Sequence, residues 1–296
     1  MTRVAVLGAG SWGTTLADLL ARKGHDTRLW AYEAEVVEAI NARHENPVFL
    51  PNAPLAESLR AFGDPVEVVG GADVVVSVSP SHVVRSVLRR VAGAVRPGAL
   101  LVSATKGLDP DTLALMSQVA AEELPAMRFV ALSGPSFARE VYERRPTAVV
   151  ASSTEPAAAE EAQQVFATNR FRVYSNTDVV GVELGGTLKN VIAIAAGMLD
   201  GLELGNNARA ALLTRGLAEI ARLGVALGAS PVTFAGLAGM GDLILTATGD
   251  LSRNRALGIA VAKGETYERY RERHRTVAAG ANASRAATPL GRRLGV

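Results

Sequence analysis

The chain of 296 residues has no cysteine. Disulfides, thiolate metal sites and cysteine nucleophiles are therefore excluded, and the composition fits a reducing compartment. Histidine is scarce. His25, His44, His82 and His274 are scattered without an HExxH pair, so each reads as a surface or capping residue and no metal centre is expected. Long apolar runs are also missing. None reaches ~18 uninterrupted residues, which leaves no expected membrane span. The first apolar run is broken early by Gly8, Gly10 and Gly13, and no small-residue cleavage site closes it. No signal peptide is read, and the expected location is the cytoplasm. A strong charge imbalance is absent as well: the formal net charge is +2, so nucleic acid is not an expected partner.

What is present suits a globular protein with a sizeable core: 48% of residues are hydrophobic and 20% charged. The first half alternates short apolar runs with amphipathic stretches. Residues 3–7, 27–32, 73–78, 99–103, 129–132 and 147–151 read as strands, the valine run DVVVSV as one covered on both faces. Residues 12–22, 81–91 and 111–123 read as helices, and STEPAAAEEAQQ as a helix start with proline in the first turn. This rhythm predicts an α/β fold, a Rossmann-type parallel sheet with helices on both faces. After about Asn176 the chain becomes rich in Ala and Leu at helical spacing, and GLAEIARLGVALG reads as a helix ending at glycine. The expected organisation is a dinucleotide-binding domain over 1–178 and a mostly helical substrate and catalytic domain over 179–296.

The stretch GAGSWG, residues 8–13, matches GxGxxG between a strand and a helix. In that context Gly8 allows a tight turn, Gly10 lets the backbone approach a pyrophosphate, and Gly13 lets the helix pack closely. The helix N-terminus favours the anion. An NAD-selecting acid is expected at the tip of the second strand. That strand runs Leu29-Trp30-Ala31-Tyr32, with Glu33 and Glu35 only after it, so NAD and NADP both stand open, with Arg28 or Tyr32 near the adenosine.

Three further stretches carry polar residues into places where ligands bind, the carboxyl ends of strands and the apolar helical half. SATKGLD places Lys106 just past a strand, and LSGPSFAREV places Gly134, Pro135 and Ser136 past another. GGTLKNVIAIAAGM sets Lys189 and Asn190 among Leu184, Leu188, Val191, Ile192 and Ile194. A lysine there either snorkels from a helix face or sits in a dry cleft with a lowered pKa, ready to exchange a proton. Further on, Asp242 follows two glycines, and Ser252-Arg253-Asn254 groups a hydroxyl, a guanidinium and an amide. Arg253 suits a phosphate, because its planar fork donates two hydrogen bonds at once. Taken alone, Ser252 reads as a helix N-cap beside surface arginines.

Six motifs, GAGSWGTTLA, ATKG, SGPSFAxE, LKNVIAIAAG, AGMGDL and SRNR, follow one another from Met1 to about Gly264. In this order and spacing the chain resembles the bacterial NAD(P)-dependent glycerol-3-phosphate dehydrogenases. The resemblance implies reduction of dihydroxyacetone phosphate to sn-glycerol 3-phosphate for glycerophospholipid synthesis, with NADP or NAD as cofactor. It implies that Gly8, Gly10, Ser11, Trp12, Gly13, Tyr32, Lys106, Ala138 and Arg253 meet the cofactor. It assigns the substrate to Lys106, Gly134, Ser136, Lys189, Asp242, Ser252, Arg253 and Asn254, with Lys189 as general acid/base. A small phosphate substrate and a homodimer are expected, without stable membrane insertion. Two alternatives are another two-domain Rossmann dehydrogenase, acting on a hydroxy acid or hydroxyacyl thioester, and a cofactor-binding relative without turnover.

The C-terminal part departs from the pattern. The family's VxEG segment corresponds to Val277-Ala278-Ala279-Gly280, where Ala279 replaces the acid, so this chain is expected to lack one of the family's interactions with the cofactor. The family pattern also continues with further helix past the last residue of this sequence. From Lys263 onward, eight Lys/Arg stand against three Glu, which reads as a solvated, partly frayed basic tail.

Overall fold

The computed structural model describes residues 1–273 and 279–295. The chain divides into two compact units. One comprises Met1–Thr105, Met116–Leu132 and Ser136–Thr177; the other comprises Lys106–Leu115, Ser133–Pro135 and the chain from Asp178 onward.

The first unit is a βα alternation: β1 (Arg3–Leu7), α1 (Ser11–Arg22), β2 (Asp26–Trp30), α2 (Ala34–Arg43), β3 (Arg60–Phe62), α3 (Pro65–Val69), β4 (Val74–Ser77), α4 (Ser81–Val91), β5 (Leu100–Ser103), α5 (Met116–Glu123), β6 (Arg128–Ser133), α6 (Ala138–Tyr142), β7 (Thr147–Ser152), α7 (Pro156–Phe166) and β8 (Phe171–Asn176). The sheet order is β3-β2-β1-β4-β5-β6-β7-β8. The pairs β3–β2, β2–β1, β1–β4, β4–β5, β5–β6 and β7–β8 are parallel. The order therefore reverses between β1 and β4, and β1 runs directly into the glycine turn. Such a switch point is where doubly wound sheets bind ligands. Val74, Val75 and Val76 are fully buried, as expected for a β-branched strand covered on both faces. Helix α4 buries Val84, Val87, Leu88 and Val91, one face at spacings of three and four.

The predicted helix over 111–123 is shorter, beginning at Met116. Ahead of it the Asp109 carboxylate accepts from the amides of Asp111 (3.0 Å) and Thr112 (3.2 Å). This side-chain turn satisfies backbone donors that a helix would otherwise have used. Two strands were not expected from the sequence: β3, only three residues long, and β8, in which buried and exposed residues alternate.

The second unit is helical: α8 (Val179–Gly201), α9 (Gly205–Ala226), α10 (Pro231–Phe234), α11 (Asp242–Thr248), α12 (Arg253–Ala262), α13 (Tyr267–Arg273) and α14 (Ala279–Leu294), with a π-helical turn at Leu237–Gly241 before α11. Asp178 caps α8 by accepting from the Gly181 amide at 2.8 Å. Helix α8 is long and apolar enough to cross a membrane by composition, yet 72% of its apolar window is buried inside the protein. It is the core helix of its unit. Leu184 and Leu188 pack with Ile220, Leu223, Phe234, Ala286 and Leu290. Against it, α12 approaches closely: a Cβ on Gly258 would lie 2.0 Å from the Ile194 carbonyl, and one on Gly197 2.0 Å from that of Arg255.

The expected frayed tail is corrected here. Helix α14 buries Ala283, Ala286 and Leu290, apolar residues spaced as one helical face, and α13 buries Tyr270. The described arginines of these two helices, Arg269, Arg271, Arg273, Arg285, Arg292 and Arg293, are exposed. Of the segment expected to meet the cofactor, Val277 and Ala278 lie outside the described residues, as does His274.

Candidate active site

In the first unit the three glycines of the turn have different surroundings. Gly8 has φ +125°, and a Cβ there would come within 3.0 Å of the Ser79 amide and hydroxyl. A Cβ on Gly13 would lie 1.9 Å from the Gly8 carbonyl oxygen, so α1 can start this close only with glycine. A Cβ on Gly10 would meet nothing within 4 Å. The space before the turn is open, no side chain caps α1, and no acid sits in its first turn. Its free N–H groups and positive dipole end are left for an external anion. The turn thus fits a dinucleotide pyrophosphate. Ser11 and Trp12 open α1, with Trp12 against Phe171 at a ring-centroid distance of 6.4 Å. The Ala138 carbonyl accepts from the Thr15 hydroxyl of α1 at 3.2 Å. Tyr32, just past β2, is 84% exposed. No acid stands at the β2 tip: Trp30 ends the strand, and Glu33 sits at the N-cap position of α2 without a side-chain cap bond. Ser136 also belongs to this unit.

In the second unit the predicted polar residues converge on α8. The Lys189 ammonium, 5% exposed, donates to Asp242 Oδ1 at 2.5 Å and to Thr246 Oγ1 at 2.5 Å. Asp242, 1% exposed, gives its second oxygen to Lys106 Nζ at 2.5 Å. Lys106 also donates to the Gly134 carbonyl at 3.2 Å. One buried carboxylate is therefore shared by two ammonium groups. Burial lowers the Lys189 pKa from its ordinary 10.5 to about 7, the Asp242 charge opposing and Lys106 reinforcing the shift. Such a lysine exchanges a proton at neutral pH.

Beside it, Asn190 Oδ1 accepts from Asn254 Nδ2 at 2.8 Å, and Asn254 Oδ1 accepts from the Gly280 amide at 2.9 Å. Ser252 caps α12 by accepting from the Arg255 amide at 3.2 Å. Arg253 opens the same helix; the residue keeps exposed surface, yet burial around its guanidinium lowers its pKa, and the guanidinium donates no hydrogen bond to any described residue. It is a free planar cation at a helix N-terminus, a pairing suited to phosphate. The neighbouring arginine is spent differently: Arg255 Nε donates to Asp200 at 2.6 Å, and Arg209 pairs with the same carboxylate.

Sequence reasoning missed three contributors. Thr246, four residues after Asp242, holds the lysine from the same helix face, a spacing that could have found it. Thr187 Oγ1 accepts from the Gly107 amide at 2.9 Å and so fixes the turn that carries Lys106. The Ser133 hydroxyl is buried without a hydrogen-bond partner among the described residues and packs against Gly186.

A dinucleotide-type turn and a buried lysine tuned for proton exchange are the working parts of a pyridine-nucleotide oxidoreductase, and the fold and cluster define that class. Residues 3–159 match the family model described as NAD-dependent glycerol-3-phosphate dehydrogenase N-terminus, and residues 178–296 match its C-terminus counterpart. A protein of Geobacter sulfurreducens named glycerol-3-phosphate dehydrogenase [NAD(P)+] is 57% identical over 99% of this chain and 89% of its own length. The crystal structure of glycerol-3-phosphate dehydrogenase from Coxiella burnetii superposes with a TM-score of 0.96 at 39% identity, covering 100% of this chain and 90% of that one. The yeast enzyme's structure gives 0.81 at 27% identity, covering 99% and 94%. The chain belongs to the NAD-dependent glycerol-3-phosphate dehydrogenase family.

Proposed function

We propose that this protein reduces dihydroxyacetone phosphate to sn-glycerol 3-phosphate with NADH or NADPH, supplying glycerophospholipid synthesis. The observation that carries the reading is the buried Lys189–Asp242–Lys106 cluster. Residues 1–178 serve the cofactor, held by Gly8, Gly10, Ser11, Trp12, Gly13, Tyr32 and Ala138, and residues 179–296 form the substrate and catalytic domain. When bound, the dihydronicotinamide supplies the hydride. Reduction places negative charge on the ketone oxygen, and that oxygen needs a proton. Lys189 stabilises the developing charge as an ammonium and then delivers the proton, becoming a neutral amine. Asp242 and Thr246 fix the direction of its N–H bonds. Arg253 takes the substrate phosphate in place of water, with the first turn of α12, Ser252 and Asn254 around it. Lys106, Gly134 and Ser136 complete the substrate set, with Lys106 and Arg253 also touching the cofactor. A homodimer and a cytoplasmic location without membrane insertion belong to the same reading, and light scattering on the purified protein tests the dimer.

The test is oxidation of NADH and NADPH by purified protein, followed by loss of reduced-nicotinamide absorbance. Turnover is expected with dihydroxyacetone phosphate and not with dihydroxyacetone, because Arg253 needs the phosphate. Equal turnover on both would refute the phosphate assignment. Cofactor binding without any turnover would mark a relative that has lost the reaction.

A further inference from the structure

The loop between α2 and β3 carries a polar side chain that none of the roles above uses. Asn46 is completely buried. Its Nδ2 donates to the Ala9 carbonyl at 2.9 Å and to Thr14 Oγ1 at 2.8 Å, while its Oδ1 accepts from the Phe49 amide at 3.0 Å. Ala9 is the central residue of the Gly8–Gly10 turn. Its carbonyl also accepts from Thr14 Oγ1 at 3.0 Å. Two donors, one from a distant loop and one from α1, therefore hold this one peptide oxygen in the interior. We propose that Asn46 is the positioning residue of the cofactor turn. By fixing the Ala9 carbonyl inward, it keeps the first N–H groups of α1 turned out to the pyrophosphate.

The loop is built to hold that side chain still. Its ends are tied by the Leu55 amide donating to the His44 carbonyl at 2.7 Å, and the Leu50 amide donates to the Asn46 carbonyl at 3.0 Å. Pro47, Pro51 and Pro54 restrict its backbone. The Pro54 carbonyl accepts from Arg22 of α1 at 2.8 Å and from the Tyr142 hydroxyl of α6 at 2.9 Å. The chemistry of the position selects an amide. Phe49 N–H needs an acceptor and the Ala9 carbonyl needs a donor, which also sets the orientation of the carboxamide. An aspartate keeps the hydrogen bond from Phe49 but sets an acceptor against the carbonyl. The carbonyl then has reason to rotate outward, toward the anion.

This inference rests on the reading of residues 8–13 as the cofactor turn, so the experiment separates the two. Direct binding of NADPH and of ADP-ribose is measured by calorimetry for Asn46→Asp, Thr14→Val and Gly10→Val, together with steady-state kinetics and thermal midpoints. Asn46→Asp is expected to weaken both ligands about tenfold or more, because the buried Ala9 carbonyl then lacks its amide donor and faces a carboxylate. Binding of adenosine, which lacks the pyrophosphate, stays unchanged. The KM for dihydroxyacetone phosphate moves less than about twofold, because the substitution shares no partner with the substrate residues, and kcat recovers at saturating cofactor. Should Asn46→Asp fail to fold, Thr14→Val keeps the side-chain shape, removes the other donor to the same carbonyl and is expected to weaken both ligands in the same direction. NADPH and ADP-ribose affinities unchanged in the variants that fold would overturn the inference. Gly10→Val fills the open space before the turn. If it too leaves NADPH affinity intact, the cofactor-turn reading itself fails; if it alone weakens binding, only the role of Asn46 falls.

Discussion

Replacing Asp242 with Asn isolates the electrostatics of the site, because the two side chains have nearly the same shape. The carboxylate lies 2.5 Å from both Lys189 and Lys106 and is almost wholly buried. Removing one partner of a buried ion pair costs about 3–5 kcal/mol. Taking the lower figure, and about 1.36 kcal/mol per pH unit, the Lys189 pKa falls by about two units. The two causes that already lower it, burial and Lys106, then act unopposed. The wild-type rate of ketone reduction should fall as pH rises through about 7, because the ammonium is the proton donor. In Asp242→Asn the midpoint should move to about 5. At pH 7 the protonated fraction drops from about half to about one in a hundred, a loss of roughly fiftyfold that the greater acidity of the donor offsets in part. The assay is kcat for dihydroxyacetone phosphate reduction between pH 4.5 and 9 at saturating cofactor, with folding checked by circular dichroism. A midpoint that stays in place or moves upward would refute the argument that Asp242 holds the proton on Lys189.

Arg253→Ala should raise the KM for dihydroxyacetone phosphate by about tenfold or more, the worth of a charge-assisted hydrogen bond to phosphate, and an unchanged KM would remove Arg253 from that role. Asp200→Asn leaves Arg255 and Arg209 without their shared carboxylate. Urea unfolding is expected to show stability lowered by about 2 kcal/mol, and an unchanged midpoint would show that α12 does not depend on this anchor.

The parts of the site legible in the sequence were those whose chemistry is local. The glycine turn announces itself because the GxGxxG spacing between a strand and a helix is local, and Gly13 is demanded by the Gly8 carbonyl five residues before it, although the crowding at Gly8 comes from the distant Ser79. Lys189 stands out because a lysine in so apolar a helix has to be explained. Ser252 as a helix cap could be read from its position alone. What could not be read are interactions between residues far apart in the chain. Nothing within SATKGLD says that Lys106 shares a carboxylate with a lysine 83 positions later, both reaching Asp242. Asn46, in a proline-rich loop without motif character, acquires its meaning only when the loop folds back on Ala9. The tail was misread for a related reason. Its charges are conspicuous in sequence, whereas Ala283, Ala286 and Leu290 are small or sparse and reveal an apolar face only once the helix is formed.

Lys189 should weigh on the fold that holds it, and the sign of the effect can be worked out. In the unfolded chain its pKa is the ordinary 10.5; in the folded protein it is about 7. Between these values the unfolded state binds more protons, so stability rises with pH across that window. Below about pH 7 the lysine is protonated in both states and the cost is fully present; above 10.5 it is gone. The interval corresponds to about 5 kcal/mol at most, a large share of the stability of an ordinary domain. Lys189→Met keeps the length and apolar body of the side chain and removes the charge, leaving Asp242 paired with Lys106. Urea unfolding should show the variant more stable than the wild type at pH 6, with the gap closing by pH 10. Its turnover should fall sharply while its affinity for NADPH stays near normal. A stability gap of the same size at both pH values would mean that burial does not hold the lysine near neutrality, and the proton-transfer role argued from that burial would lose its physical basis.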